Sequence, residues 1–418
     1  MQAIAGILGF IFIFGLAVLV HELGHFVTAR KFGVLCHEFA IGMGPIVWKK
    51  RKGETLYTIR AIPIGGFVSM GMNEHERDIL KQDTEVGIDI DPMGVVTKIY
   101  FKPEDGQTSG ILKTNTIDIS ANFEVAFEIA GERKIYPVAV DAMYIDTVSG
   151  REAQIVPTNR RLDNKPKFQR FIIFVSGALM NFVLAYVLVL FVSAIVGEVV
   201  GVTNQLSLVN PGGPASIAGL EVGDTILEIN GFNIYDGHDI RDAIQSAGNQ
   251  PTIFIYERNG QKFETLITPD HQPGGYLVGI GFAQEIERSF LGTFREANAR
   301  FIDGAMMIFS GLRSIATREA GVEDLAGVVG IVHMTSEVAM LGMLPLLIFA
   351  SIININLGIF NLLPFPALDG GHITFIVIES IIGRPVNPKF QTIISLIGFG
   401  LLLLLMIFTV FNDIRRLI

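Results

Sequence analysis

Four apolar segments, each long enough to cross a bilayer, constrain this chain more than any other feature of its sequence. They run from about residue 4 to 27, 171 to 196, 344 to 363 and 393 to 411. A helix rises 1.5 Å per residue, so roughly 20 apolar residues span the hydrocarbon core. Half of the 418 residues are hydrophobic, an excess that membrane helices explain and a soluble domain does not. The first segment differs from a cleaved leader, because no basic residue precedes it and no small-residue cleavage site follows. A net charge of -9 argues against a nucleic-acid partner, which calls for a basic face. Cys36 is the single cysteine. Neither an intrachain disulfide nor a Cys-rich zinc site can form, and any zinc has to be held by His, Asp or Glu.

Lysine and arginine near the segment ends suggest an orientation. Arg30, Lys31, Lys49, Lys50, Arg51 and Lys52 follow the first segment, and Arg160, Arg161, Lys165, Lys167 and Arg170 precede the second. Residues 28–169 are therefore expected on the cytoplasmic side, with the N-terminus and the region after the second segment outside. Arg384 and Lys389 return to the cytoplasm. Arg415 and Arg416 fall outside, against the rule, and the earlier loops outweigh them.

The fold class expected is a multi-pass α-helical membrane protein with four transmembrane helices, a cytoplasmic β-rich insert and one small extracytoplasmic domain. Its parts are a transmembrane helix over 1–27, a cytoplasmic region over 28–169 and a second transmembrane helix over 170–197. A small domain follows over 198–285, then an amphipathic helical region over 286–341, and two last transmembrane helices over 342–366 and 390–412. Within 28–169, the alternation of Leu56 to Ile59 followed by Pro63 and Gly65-Gly66 predicts a hairpin over 54–70, and residues 74–158 read as β-rich. In 198–285, Asn230-Gly231 and Asn259-Gly260 are hairpin signals, and residues near 239–247 suit a helix. Phe290, Phe294, Phe301, Ala305, Ile308 and Leu312 recur at near-helical spacing among charged residues, as in a helix lying on a membrane surface or against the other spans, and equally as in an amphipathic helix of a soluble domain.

The chemistry is concentrated in His21-Glu22-Leu23-Gly24-His25. Residues four apart share a helical face, so both imidazoles can reach one ion. Glu22 stands beside them as a base for water that zinc has acidified towards a pKa of about 7. The pattern arises by chance in about one chain in a hundred of this length from ordinary residue frequencies. Its place inside an apolar span makes it informative, because ionisable residues there cost a few kcal/mol. A catalytic zinc takes three protein ligands. Asp369 is the clearest third candidate, and His372 is a neighbour better suited to supporting or solvent-facing roles. Asp369 follows Asn361-Leu362-Leu363-Pro364-Phe365-Pro366, where the prolines force the backbone to unwind. Unwound backbone at membrane depth has to face protein or a watery cavity. Asn354, Asn356 and Asn361 precede it, and polar residues in a span also serve to join helices.

Together these motifs resemble the site-2 proteases, the intramembrane zinc metalloproteases of regulated intramembrane proteolysis, and most closely the bacterial branch that cleaves anti-sigma factors. The resemblance covers nearly the whole chain and includes a PDZ domain between the second and third spans. It implies one zinc held by His21, His25 and Asp369, with Glu22 as catalytic acid/base. Asn356 and Asn361 stand at positions that the family uses near the substrate. A membrane-associated hairpin, here including Gly66 and Phe67, would hold substrate as an added strand. Residues 176–181 resemble the family's small-residue motif in the second span. They have Gly177-Ala178 where Gly-Pro is common, and Gly327-Val328 departs in the same way. The implied partners are single-span membrane proteins such as anti-sigma factors and remnant signal peptides, together with an upstream extracytoplasmic protease. The implied location is a bacterial cell membrane. Two other functions fit parts of the sequence, an inactive membrane PDZ adaptor and a metal transporter. An intact Glu22 speaks against the first, and the PDZ module with the order of the motif speaks against the second.

Overall fold

A computed structural model describes residues 2–71, 84–101, 110–114, 117–119, 124–129, 132–146, 151–272, 275–319, 321 and 325–417. The chain divides into two compact units, one formed by 1–188 with 303–418 and the other by 189–302.

The first unit starts with α1, Gln2–Lys31. It runs past Val27, the expected end, because nothing in 28–31 breaks a helix. Arg30 and Lys31 in the last turn complement its dipole, and Gly33 at φ 70° follows the end. Two long strands come next, β1 (Cys36–Lys52) and β2 (Thr55–Met70). The expected reversal within 54–70 is present, but its arms, 56–59 and 66–69, pair with 38–41 between them and not with each other. The chain reverses at Gly53, φ 62°, and 55–70 is one strand paired back onto β1. Both strands turn back on themselves: 38–41 runs parallel to 56–59 and antiparallel to 66–69, while 48–52 runs antiparallel to 55–59, and Gly42, Gly44 and Gly65, at φ 85°, 82° and 82°, lie where the chain changes direction. As a result Phe39 pairs with both Tyr57 and Val68, and Ala40 with both Thr58 and Phe67. The stretch 38–41 therefore lies between 56–59 and 66–69.

The region that follows is a sheet of short strands: β3 (Thr84–Ile90), β4 (Val96–Phe101), β5 (Gly110–Thr114), β6 (Ile117–Ile119), β7 (Glu124–Ile129), β8 (Glu132–Asp146) and β9 (Arg151–Gln154). Their order is β5-β3-β4-β8-β7-β6, with β9 also on β8. Val86, Ile88, Val96, Ile99 and Tyr144 form its buried core.

Helix α2 spans Lys167–Val196. Further along the chain come α5 (Phe290–Ala316), α6 (Val328–Met340), α7 (Met343–Leu362), α8 (Asp369–Ile382) and α9 (Pro388–Leu417). Among the described residues four helices, α1, α2, α7 and α9, are long and apolar enough to cross a membrane. The 13-residue α6 is only about 20 Å long at the helical rise. The amphipathic region foreseen over 286–341 is thus two helices, α5 and α6. The third span also needs correction, because α7 stops at Leu362 rather than 366 and Asp369 opens a separate helix, α8. Pro364 and Pro366 cannot continue α7, and Ala367 takes φ 80°, a conformation non-glycine residues adopt at a cost of about 1–3 kcal/mol. Residues of α1, β1, α2 and α8 share one core of Phe26, Ala29, Phe39, Ile173, Phe174 and Ile376.

The second unit has strands β10 (Glu198–Val209), β11 (Thr225–Ile229), β12 (Phe232–Asn233), β13 (Thr252–Arg258), β14 (Gln261–Ile267), β15 (Asp270–Gln272), β16 (Gly275–Leu277) and β17 (Ile280–Glu287). Between them lie the short helix α3 (Pro214–Ile217) and α4 (Gly237–Ala247). The main sheet has the order β14-β13-β11-β10-β17, with β12 on β11. Asn230 and Asn259 take positive φ and, with the glycine after each, close hairpins in which Ile229 faces Phe232 and Arg258 faces Gln261. Asp236 caps α4 in a reciprocal arrangement with Asp239. Leu206, Ile226, Ile240 and Phe254 fill the core.

Candidate metal centre

Helix α1 supplies His21 and His25 one turn apart. The Nε2 atoms of the two rings lie 3.2 Å from each other, and each lies 3.2 Å from Asp369 Oδ2. Two nitrogens and a carboxylate oxygen at equal spacing do not make a good hydrogen-bonded set, and Asp369 Oδ2 is buried without a hydrogen-bond partner. The triangle does match one face of a coordination tetrahedron. For a zinc ion with ligands at about 2.0–2.1 Å, the edge between neighbouring ligands is about 3.3 Å. The donor set and its spacing therefore fit zinc, and among the described residues this is the one trio of His, Cys, Asp or Glu side chains that could hold a metal.

Each ligand is set by its element. Asp369 is the first residue of α8, where a helix N-terminus favours an anion. The turn before it, closed by hydrogen bonds from Leu368 N–H to Phe365 O and Gly371 N–H to Leu368 O, directs the carboxylate to α1. His25 is buried, 5% exposed, and its Nδ1 lies 2.8 Å from the carbonyl oxygen of Ile173 on α2. Two glycines let α1 and α2 approach. A Cβ on Gly24 would overlap the Ser176 carbonyl, and one on Gly177 would overlap His25 Nε2 and stand 2.8 Å from His21 Cε1. Gly177 thus leaves the space beside the imidazoles open.

Glu22 lies on the adjacent face of α1, near the Val68 backbone N–H. A Cβ on Gly66 would come within 3.4 Å of Glu22 Cγ and 3.1 Å of Val18 Cγ1. The outer segment of β2 therefore runs beside Glu22. Among the described residues no third strand pairs with β1 and β2. Phe67 turns away, with its ring under the Arg60 guanidinium at 5.1 Å.

The other expected residues lie outside the trio. Asn356 and Asn361 sit on the last two turns of α7, and neither hydrogen-bonds to a ligand. Asn356 Oδ1 is buried without a partner. His372 stacks on Phe174 at 4.6 Å with an interplanar angle of 6°. Cys36 is buried, and burial pushes its thiol up to about 12, so it offers no thiolate at neutral pH. The features that the motifs alone do not reveal are on α2, where Ile173 and Gly177 abut the imidazoles. The small residues of 176–181 were the available signal.

The profile of peptidase family M50 matches residues 9–405. Zinc metalloprotease RasP of Shouchella clausii is 35% identical over 98% of this chain and 99% of its own length. Its namesake in Geobacillus kaustophilus is 36% identical over 99% of both chains. Regulator of sigma-W protease RasP of Bacillus subtilis is 34% identical over 98% of both. Over 20% of its length the chain is also similar to the PDZ domain of the SdrC-like protein of Listeria monocytogenes, with 23% identity, 87% of that domain covered and a TM-score of 0.18. The matches to the family profile and to its zinc metalloproteases run nearly end to end, and the chain belongs to peptidase family M50, the zinc metalloproteases of site-2 type.

Proposed function

We propose that this protein hydrolyses peptide bonds within or near the transmembrane segment of single-span membrane proteins, with His21, His25 and Asp369 as zinc ligands and Glu22 as general base and acid. The observation that carries this reading is the 3.2 Å triangle of ligand atoms, with Glu22 next in sequence to one corner. Zinc, when bound, supplies Lewis acidity to such a site. Glu22 takes a proton from the attacking water and returns it to the leaving amine. A helical substrate hides its carbonyls in its own hydrogen bonds, so it has to be extended before attack. The 66–70 segment of β2, beside Glu22, is suited to take such a chain as an added strand. Gly66 keeps that approach clear, and Asn356 and Asn361 are assigned to substrate contact.

The lysine and arginine bias supports a site towards the cytoplasmic side and puts 198–285 outside. There a PDZ-type domain would act as a filter that admits substrates already trimmed by an extracytoplasmic protease. The Bacillus subtilis relative is named a regulator of sigma-W protease, which favours anti-sigma factors as substrates here, beside remnant signal peptides. The location that fits is a bacterial cell membrane.

The test is Glu22→Gln in the full chain, with zinc content measured beside cleavage of a model single-span substrate. Zinc should stay at one per chain while cleavage is lost. Normal cleavage by this variant refutes the proposal. In the same assay, a chain without 201–269 should lose its preference for trimmed over full-length substrate, and an unchanged preference refutes the filter.

A further inference from the structure

We infer that Asn181 is a positioning residue for His21, its amide oxygen accepting from His21 Nδ1–H and so holding the Nε2 lone pair towards the metal. The inference rests on the metal-centre reading above. Ile173, Gly177 and Asn181 recur every four residues and so share one face of α2. That face lies along the two imidazoles, with Ile173 at His25, Gly177 between the rings and Asn181 at His21.

The two rings have the same requirement. A histidine that gives Nε2 to a metal carries its proton on Nδ1 and needs an acceptor there. For His25 the acceptor is the Ile173 carbonyl at 2.8 Å, which cannot donate and therefore fixes the tautomer. For His21 the group opposite Nδ1 is the Asn181 amide, 3.4 Å away through Nδ2.

An amide turned that way conflicts with its surroundings. With Nδ2 as donor, His21 Nδ1 has to be bare, and the ring proton moves to Nε2 in the middle of the ligand triangle. Asn181 is also 1% exposed, and its Oδ1 is buried without a partner. A helix interior offers carbonyl lone pairs but no free N–H. An amide nitrogen can share such a carbonyl, as Asn354 Nδ2 does with Ala350 O at 2.8 Å, whereas an amide oxygen cannot. The oxygen and nitrogen of an amide exchange places by a half-turn, and the hydrogen-bond network decides between them. The half-turn gives Oδ1 its donor in His21 Nδ1–H and gives both imidazoles the same tautomer. One histidine is thus held by backbone, which mutation cannot remove, and the other by a side chain, which it can.

The experiment measures zinc affinity of the purified full chain in detergent by competition with a chelator, for wild type, Asn181→Leu and Asn181→Asp. Leucine fills a similar volume without an acceptor, and affinity should fall about 10–100-fold, the usual effect of losing such a partner. Aspartate restores an acceptor and should bind close to wild type. The inference is overturned if Asn181→Leu binds zinc as wild type does, or if both variants lose affinity equally, which would mean that Asn181 only packs. If His21→Ala holds zinc as tightly as wild type, the metal-centre reading itself fails, and that result is distinct from either.

Discussion

At the scale of single residues, the centre depends as much on a missing side chain as on those present. Gly177 stands where a methyl group would overlap the imidazole of His25. Alanine favours a helix over glycine by about 1 kcal/mol, but at this buried position the methyl group overlaps His25 and such overpacking costs about 1–3 kcal/mol, so Gly177→Ala should leave the metal-free protein as stable as wild type or less stable. It should also lower zinc affinity at least about tenfold, because the histidine rings have to move from a geometry that their outer partners fix. Melting temperature without zinc and chelator competition read the two effects separately. Unchanged zinc affinity would show that the imidazoles have room to spare. His21, Glu22 and His25 were legible in the sequence because helical periodicity alone brings the two histidines together. Asp369 was legible because two prolines mark a break that has to face something. The roles of Ile173, Gly177 and Asn181 were not legible, since they depend on which face of α2 meets α1, and neither sequence states that.

At the scale of elements, the short helix α6 is held by its neighbours rather than by its own length. Asp413 of α9, 4% exposed, accepts from the backbone N–H groups of Gly327 at 3.1 Å and Gly330 at 2.8 Å, capping the start of α6. A Cβ on either glycine would crowd that carboxylate. On its other side α6 meets α1, where Gly6 and Gly9 approach Ser336 and Thr335. Asp413→Ala removes the cap and should cost about 1–2 kcal/mol, with faster amide exchange confined to 328–340. Exchange that is unchanged there would contradict this account of α6. The sequence misled most at this scale. Pro63 and Gly65-Gly66 read as the turn of a hairpin, and the chain does reverse there, but its two arms are separated by 38–41 of β1. The helix from 369 to 382 went unnoticed because the proline break looked like an end rather than a corner.

At the scale of the whole molecule, the metal ligands come from positions 21, 25 and 369, nearly the full length of the chain apart, and all belong to the first compact unit. That unit is also tied by a buried carboxylate. Glu379 of α8, 2% exposed, takes a 2.8 Å contact from Arg170, a 3.2 Å hydrogen bond from Val386 N–H and, at its carbonyl, one from Lys167 at 2.9 Å. These bonds join the start of α2 to α8, which carries Asp369. The four long apolar helices and the two strand-rich regions were visible in hydropathy and turn residues. The meeting of α1, α2 and α8 was not, because it arises from packing across long sequence separations. The central claim is that this meeting makes one zinc site from two imidazoles and one carboxylate. Zinc K-edge X-ray absorption on the purified full chain tests it most directly. The account predicts one zinc in a shell of nitrogen and oxygen near 2.0 Å, with scattering from two imidazoles, and loss of that zinc in Asp369→Ala. A sulfur neighbour, a third imidazole, or full zinc occupancy in Asp369→Ala would contradict it.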